Sequence, residues 1–178
     1  LYHASVPHQF ATIYESKLTR PLKIYQILVP GESLEGHLKT GIAQKFIEKM
    51  GPWDIVIIQE WSGGPAKTLD SMQRSGAELI KITKNSGAQP YLFMTYADKG
   101  KFEDQKVVSS AYTDLGKEYD VPVIPDGDLF FFAQREIPDI ELYSPDNHHP
   151  SEKGSYLGAL LTFSMLTGES PEGTPSEV

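Results

Sequence analysis

The chain reads as an α/β protein built on a parallel sheet, and three observations carry that reading. Asp54-Ile55-Val56-Ile57-Ile58-Gln59 is an unbroken β-branched run closed by polar residues, the pattern of a strand buried on both faces. Pro90-Tyr91-Leu92-Phe93-Met94-Thr95-Tyr96 repeats it, and Val121-Pro122-Val123-Ile124-Pro125 is a shorter, proline-bounded version. Around these runs apolar residues recur at helical spacing, so strands alternate with helices, as a layered α/β sandwich with a parallel sheet requires.

In chain order, residues 6–18 predict a helix. Leu22-Lys23-Ile24-Tyr25-Gln26-Ile27-Leu28-Val29 alternates more than the other runs and suits a strand nearer a sheet edge. Residues 34–50 predict one or two short helices. Residues 68–85 predict a long one, with Leu69, Met72, Ala77, Leu79, Ile80 and Ile82 as its apolar positions and Gly87 as a stop. Another runs over 104–119, with Val107, Val108, Ala111, Leu115 and Tyr119 on one face, and a last helix covers 151–166. The tail 167–178 is rich in Gly, Pro, Ser and Glu and is expected to wrap or fray. No repeat and no interdomain linker is visible, so one domain over 1–178 is expected.

The bulk numbers exclude several classes. A length of 178 residues with 39% hydrophobic and 22% charged residues is that of an ordinary globular protein with room for a full core. A net charge of −8 argues against nucleic-acid binding and gives no attraction to an anionic membrane surface. The absence of cysteine removes disulfides, thiolate metal sites and a cysteine nucleophile without fixing the compartment. The longest apolar stretch, residues 156–166, falls short of the roughly 18 residues that span a bilayer. A soluble protein is therefore expected. Leu1 in place of a methionine is compatible with a removed leader, and so with export.

Ligand sites in parallel sheets lie at the carboxyl ends of the strands. Gln59-Glu60-Trp61-Ser62, Thr95-Tyr96-Ala97-Asp98 and Asp126-Gly127-Asp128 fall there. Asp146-Asn147-His148-His149-Pro150 supplies what a serine hydrolase needs besides its nucleophile: His149 as general base, and Asp146 to hold its tautomer and stabilise the imidazolium. The plain alternative is a surface turn before a capped helix.

The wider string Leu142-Tyr143-Ser144-Pro145-Asp146-Asn147-His148-His149-Pro150-Ser151-Glu152-Lys153-Gly154-Ser155-Tyr156-Leu157 resembles the final block of SGNH/GDSL-type serine hydrolases, in particular a bacterial branch ending in D-x-x-H-P-S-x-x-G-S-Y-L. Gly31-Glu32-Ser33-Leu34-Glu35-Gly36-His37-Leu38 is similar to its G-x-S-L-x-x-H-L segment. Ile57-Ile58-Gln59-Glu60-Trp61-Ser62-Gly63-Gly64-Pro65 is similar to its L-Q-E-x-S-x-x-P segment. The resemblance spans residues 31–157 in matching order. It implies a flavodoxin-like three-layer fold and hydrolysis of small acyl esters, often acetyl groups on carbohydrates, with no cofactor and no metal. It also implies His149 and Asp146 as catalytic residues, Gly31 (backbone N–H) and Gln59 (side-chain amide) as oxyanion donors, and Trp61, Ser62, His37 and Tyr96 around the substrate pocket.

One block of that pattern is absent. The resemblance places the nucleophilic serine in a G-N-S-F-like segment directly after strand one, and Leu1-Tyr2-His3 would follow it immediately. Strand one would lie inside the sheet beside the Leu22 to Val29 strand. Its loss would leave unpaired backbone groups on both neighbours, at about a few kcal/mol for each buried group. The expectation is that strand and nucleophile come from a longer precursor, a separate N-terminal fragment or a swapped partner. Ser62 is a poor substitute, because Trp61-Ser62-Gly63-Gly64 is not a G-x-S-x-G elbow, and Ser33 reads as a cap of the helix at Leu34.

Two rival readings remain on the residues alone. One is a catalytically inactive relative that binds glycans or a protein. The other is a metal-dependent hydrolase using His148, His149 and carboxylates such as Asp126 and Asp128, although no metal-ligand spacing supports it. His148 and His37 read as solvated or core-satisfied, and Phe130, Phe131 and Phe132 as core.

Overall fold

The structure, a computed structural model, describes residues 5–175. The Leu1-Tyr2-His3 junction discussed above lies outside the described residues. Contacts gather into two compact units, one of residues 1–26, 98–100 and 129–178, the other of residues 27–97 and 101–128.

The second unit carries the sheet. Its strands are β1 (Ile55–Ile58), β2 (Gln89–Phe93) and β3 (Val123–Ile124), all parallel and in the order β1-β2-β3. Ile55 pairs with Gln89 and Ile58 with Leu92, while Leu92 pairs with Val123 and Phe93 with Ile124. Each of the three apolar runs thus contains a strand, trimmed where proline or a polar end leaves the ladder. Within the 34–50 stretch, where one or two short helices are expected, there are two, α2 (Leu34–Thr40) and α3 (Ile42–Lys49). They separate at Gly41, whose φ of +66° is the left-handed conformation that ends a helix. A short α4 (Gly64–Lys67) precedes α5 (Leu69–Asn85), and α6 (Phe102–Tyr119) follows β2. Met72, Ala77, Leu79, Ile80 and Ile82 of α5 join Val108, Ala111, Tyr112 and Leu115 of α6, with Ile58, Leu92 and Met94, in one buried cluster. Their spacing every third or fourth residue is why the two helices pack along their apolar faces.

Residues 22–29 are not a strand. Among the described residues no β-ladder includes this segment, and Ile24, Tyr25, Leu28 and Val29 are exposed. Alternation specifies a strand only where another strand lies alongside, and among the described residues no strand pairs with this segment. Among the described residues β1 is an edge strand: its ladder runs to β2, and Ile57 is 42% exposed despite its apolar run.

The first unit is helical. Helix α1 (Val6–Lys17) packs on α8 (Glu152–Thr167), the fully buried Ile13, Ala159 and Phe163 among the side chains of this pair. The tail wraps rather than frays as far as it is described: the Tyr156 hydroxyl bonds Thr174 and Pro175, and the Lys17 ammonium donates to Glu172 O.

Helix α7 (Asp126–Glu136) begins in the Asp126-Gly127-Asp128 stretch, directly after β3. Its first turn carries Asp126 and Asp128, which suit the positive end of a helix. The phenylalanine triplet consequently divides: Phe130 is buried, whereas Phe132 projects outward beneath the Arg135 guanidinium. Among the described residues no helix is long and apolar enough to cross a membrane.

Candidate active site

The Asp146–His149 segment is a tight loop closed at its base. Tyr143 and Pro150 form an antiparallel bridge, and Ser144 N–H donates to His149 O at 2.8 Å while the Ser144 hydroxyl donates to Pro150 O at 2.8 Å. Asn147 N–H returns to Ser144 O at 2.9 Å. Asn147 itself has φ of +58°, a left-handed conformation that Asn tolerates better than most side chains. Ser151 then stops the loop and starts α8. Its hydroxyl accepts Gly154 N–H at 3.0 Å and donates to Glu141 O at 2.6 Å. The sequence P-S-x-x-G is therefore a helix N-terminus, and the D-x-x-H step is presented directly before it.

Asp146 uses both carboxylate oxygens. Oδ1 accepts the backbone N–H groups of His148 and His149, each at 2.9 Å, and Oδ2 lies 2.6 Å from His149 Nδ1. That arrangement places the ring proton on Nδ1 and leaves Nε2 as the basic nitrogen, the tautomer a general base needs. The His149 ring foremost, and then the two backbone donors, hold the Asp146 carboxyl well below the usual carboxylate range. The pair is half exposed, 43% for the His149 side chain and 50% for Asp146, so an incoming group can reach it.

His148 is not merely solvated. Its Nδ1 lies 2.6 Å from Asp98 Oδ1, and its ring stands edge-on to His149 with centroids 4.8 Å apart. Lys99 N–H donates to Asn147 O at 2.9 Å, so residues 98–99 grip the tip of the loop at two points. The sequence alone gives Asp98 no individual role. It lies fifty residues from its partner, and nothing in a local pattern marks such a pair.

In the other unit, Gly31 sits at the exposed third position of a Val29-Pro30-Gly31-Glu32 turn closed by Glu32 N–H to Val29 O at 3.1 Å. Its φ of +70° is what the residue after the proline in such a turn requires, and a Cβ there would meet nothing within 4 Å. Ser33 caps α2, accepting Gly36 N–H at 3.1 Å, as expected. His37 lies half-buried in the last turn of α2. Gln59 follows β1, half-buried, and Tyr96 stands half-buried beyond the end of β2. Trp61 folds its ring over Gly63, with the Lys67 ammonium 5.4 Å from the ring centre, and Ser62 lies in the turn leading to α4.

What joins the Gly31–Leu34 and Gln59–Ser62 segments is Glu60. It is 1% exposed, and its Oε1 accepts Trp61 N–H at 2.9 Å and Leu34 N–H at 3.2 Å. Its own N–H donates to the Tyr112 hydroxyl at 3.2 Å. Burial, partly offset by the two backbone donors, raises the Glu60 carboxyl above its ordinary value, and burial raises the Tyr112 hydroxyl as well. Glu60 thus fixes the start of α2 against the end of β1.

Asp126, 2% exposed at the start of α7, is a second buried acid. Among the described residues its Oδ1 has no hydrogen-bond partner, and burial pushes its pKa up to about 8. Among the described residues no group of three or more His, Cys, Asp or Glu side chains converges as a metal site would.

No family model matches the chain, and no curated protein does. Solved structures do. A proposed SGNH hydrolase from Slackia heliotrinireducens superposes with a TM-score of 0.74 at 23% identity, over 93% of this chain and 92% of that one. A DUF4886 family protein from Bacteroides uniformis superposes with a TM-score of 0.70 at 17% identity, over 85% of this chain and 73% of that one. The fold is SGNH-hydrolase-like. The α/β class and parallel sheet read from the sequence belong to that fold, and in the SGNH-like chain described here the D-x-x-H step is folded as an aspartate–histidine pair.

Proposed function

We propose that the chain is the His–Asp-bearing part of an SGNH-type serine esterase acting on small, acetyl-type esters, carbohydrate esters among them. The observation that carries this reading is the Asp146 Oδ2–His149 Nδ1 contact of 2.6 Å on a loop locked by its own backbone. A carboxylate so placed has one chemical use beyond holding the turn: it fixes which imidazole nitrogen is basic.

In the proposed reaction the serine Oγ attacks the ester carbonyl carbon as His149 Nε2 takes its proton. For the resulting oxyanion the sequence resemblance assigns Gly31 N–H and the Gln59 amide as donors. The imidazolium, stabilised by Asp146, returns the proton to the departing alcohol, leaving an acyl-serine. Water, deprotonated by the same Nε2, then attacks the acyl carbonyl carbon; the C–Oγ bond breaks, the imidazolium returns the proton to the serine Oγ, and the carboxylic acid is released. The nucleophile is a serine other than Ser33, whose hydroxyl is engaged as a helix cap, and other than Ser62. It is assigned to the segment that precedes Leu1 in the SGNH pattern.

The test is a fluorophosphonate label on the protein expressed from its complete reading frame, read by intact mass and peptide mapping. One adduct on a serine upstream of Leu1, lost in His149→Ala, is the expected result. No adduct, together with retained binding of glycan or protein, would replace the esterase by an inactive binding relative.

A further inference from the structure

The two histidines of the loop are not equivalent bystanders. From Asp98 a continuous chain of contacts runs inward: Asp98 Oδ1 to His148 Nδ1 at 2.6 Å, His148 N–H to Asp146 Oδ1 at 2.9 Å, and Asp146 Oδ2 to His149 Nδ1 at 2.6 Å. We propose that Asp98 and His148 are a positioning pair for His149, an outer dyad in series with the inner one. The role rests on His149 being the base of the proposed reaction.

The physical case starts from what the loop lacks without them. Its base is closed by Ser144 and the Tyr143–Pro150 bridge, but its tip is Asn147 in a left-handed conformation, and the carboxylate that aims His149 depends on the position of residue 148. Residues 98–99 hold that tip twice, through the His148 ring and through Lys99 N–H on Asn147 O. An isolated ion pair at such exposure (44% and 36% for the two side chains) stabilises a fold little. Its effect here is geometric: His148 N–H and His149 N–H share Asp146 Oδ1, so a shift at His148 moves the acceptor that orients the base. The edge-on packing of the two rings adds a direct steric stop on rotation of His149.

The experiment reads the His149 ring itself. Long-range proton–nitrogen correlation on the whole protein, at alkaline pH where imidazoles are neutral, reports which ring nitrogen carries the proton. In the wild type a single Nδ1–H form is expected for His149. Asp98→Asn, isosteric but no longer a carboxylate, and His148→Gln, which keeps the backbone donor to Asp146, should each move His149 toward a mixture of tautomers. Asp146→Asn gives the reference for a fully disturbed ring. On an ester substrate the same variants should lower kcat by up to about 100-fold with KM unchanged, and Asp98→Glu should recover part of the loss. His149 signals that superpose on the wild type in both variants, while the His148 signals move or vanish, would overturn the proposal. If Asp98→Asn does not fold, His148→Gln decides. A wild type with no esterase activity would remove the proposed function and leave the tautomer result standing, so the two failures are distinct.

Discussion

Asp146 holds His149 twice, accepting its backbone N–H at 2.9 Å with one carboxylate oxygen and facing its Nδ1 at 2.6 Å with the other. The first contact shapes the turn and the second sets the tautomer, so one side chain does both, and substitutions can separate the two effects. In Asp146→Asn the amide oxygen can still accept the backbone donors, but the amide nitrogen then meets Nδ1 and forces the proton to Nε2. Ester hydrolysis should fall about 10³- to 10⁴-fold with the loop intact. Asp146→Ala should lose the turn as well, and its thermal unfolding midpoint should lie below that of Asp146→Asn. Equal activity in the wild type and Asp146→Asn would show that His149 is not the base.

Glu60 makes a different prediction, in stability. Both N–H groups it receives, on Leu34 and Trp61, sit where α2 starts and β1 ends. Glu60→Ala leaves them without that acceptor and opens space beside Gly64, whose Cα lies against the Glu60 stem. A loss of about 3 kcal/mol in unfolding free energy is expected. Glu60→Gln keeps the acceptor oxygen and the volume and should stay within about 1 kcal/mol of the wild type. Urea midpoints for the two variants give the answer, and a Gln variant as weak as Ala would mean that the charge, not the hydrogen bonds, holds the junction.

How much of this was legible beforehand differs from element to element. Ile55–Ile58 and Gln89–Phe93 declare themselves as buried strands by composition, and the helical faces of residues 69–85 and 102–119 by spacing, because burial against one neighbour imposes a local period. Residues 22–29 alternate like a strand and are not one, since a ladder needs a partner that the pattern cannot supply. The D-x-x-H step was legible because its geometry is local: three residues of one loop place Asp146 on His149. Asp98 on His148 was not, because the contact joins two distant stretches. Glu60 and Asp126 stand in the sequence simply as acids at strand ends, since sequence records their type and not their burial.

Gly154 lies where that local geometry is anchored. A Cβ on it would come within 2.2 Å of Leu142 O and 2.9 Å of the Phe130 ring, and Leu142 O also accepts Ser151 N–H. A backbone oxygen cannot swing aside as a flexible side chain can. Gly154→Ala should therefore cost about 1–3 kcal/mol and displace the start of α8, loosening the loop that ends at Pro150. Circular dichroism melting checks the first effect. The His149 ring signals check the second, which a Gly158→Ala control, further along the same helix, helps to separate from general helix loss.

The buried acids set the pH dependence of stability. Asp126 has its pKa pushed up to about 8 from an ordinary value of 3.8, by burial first of all, and Glu60 is shifted the same way. A raised carboxyl pKa means that the folded protein keeps a proton which the unfolded chain has released above about pH 4. The sign follows: this stability is fully present below the unfolded value and is lost as pH rises toward 8, by at most about 1.4 kcal/mol per pH unit for one group. Asp146 acts oppositely, since its lowered pKa removes stability only as pH falls below the ordinary carboxylate range. Unfolding free energy should accordingly be greatest near the mildly acidic side and decline from pH 5 to pH 8. Asp126→Asn, unable to ionise, should flatten most of that slope, and Glu60→Gln a smaller part. Urea titrations across this range in the three proteins measure it directly. A wild type whose stability rises with pH there would place an ionised Asp126 in the folded protein, with a counter-charge holding it.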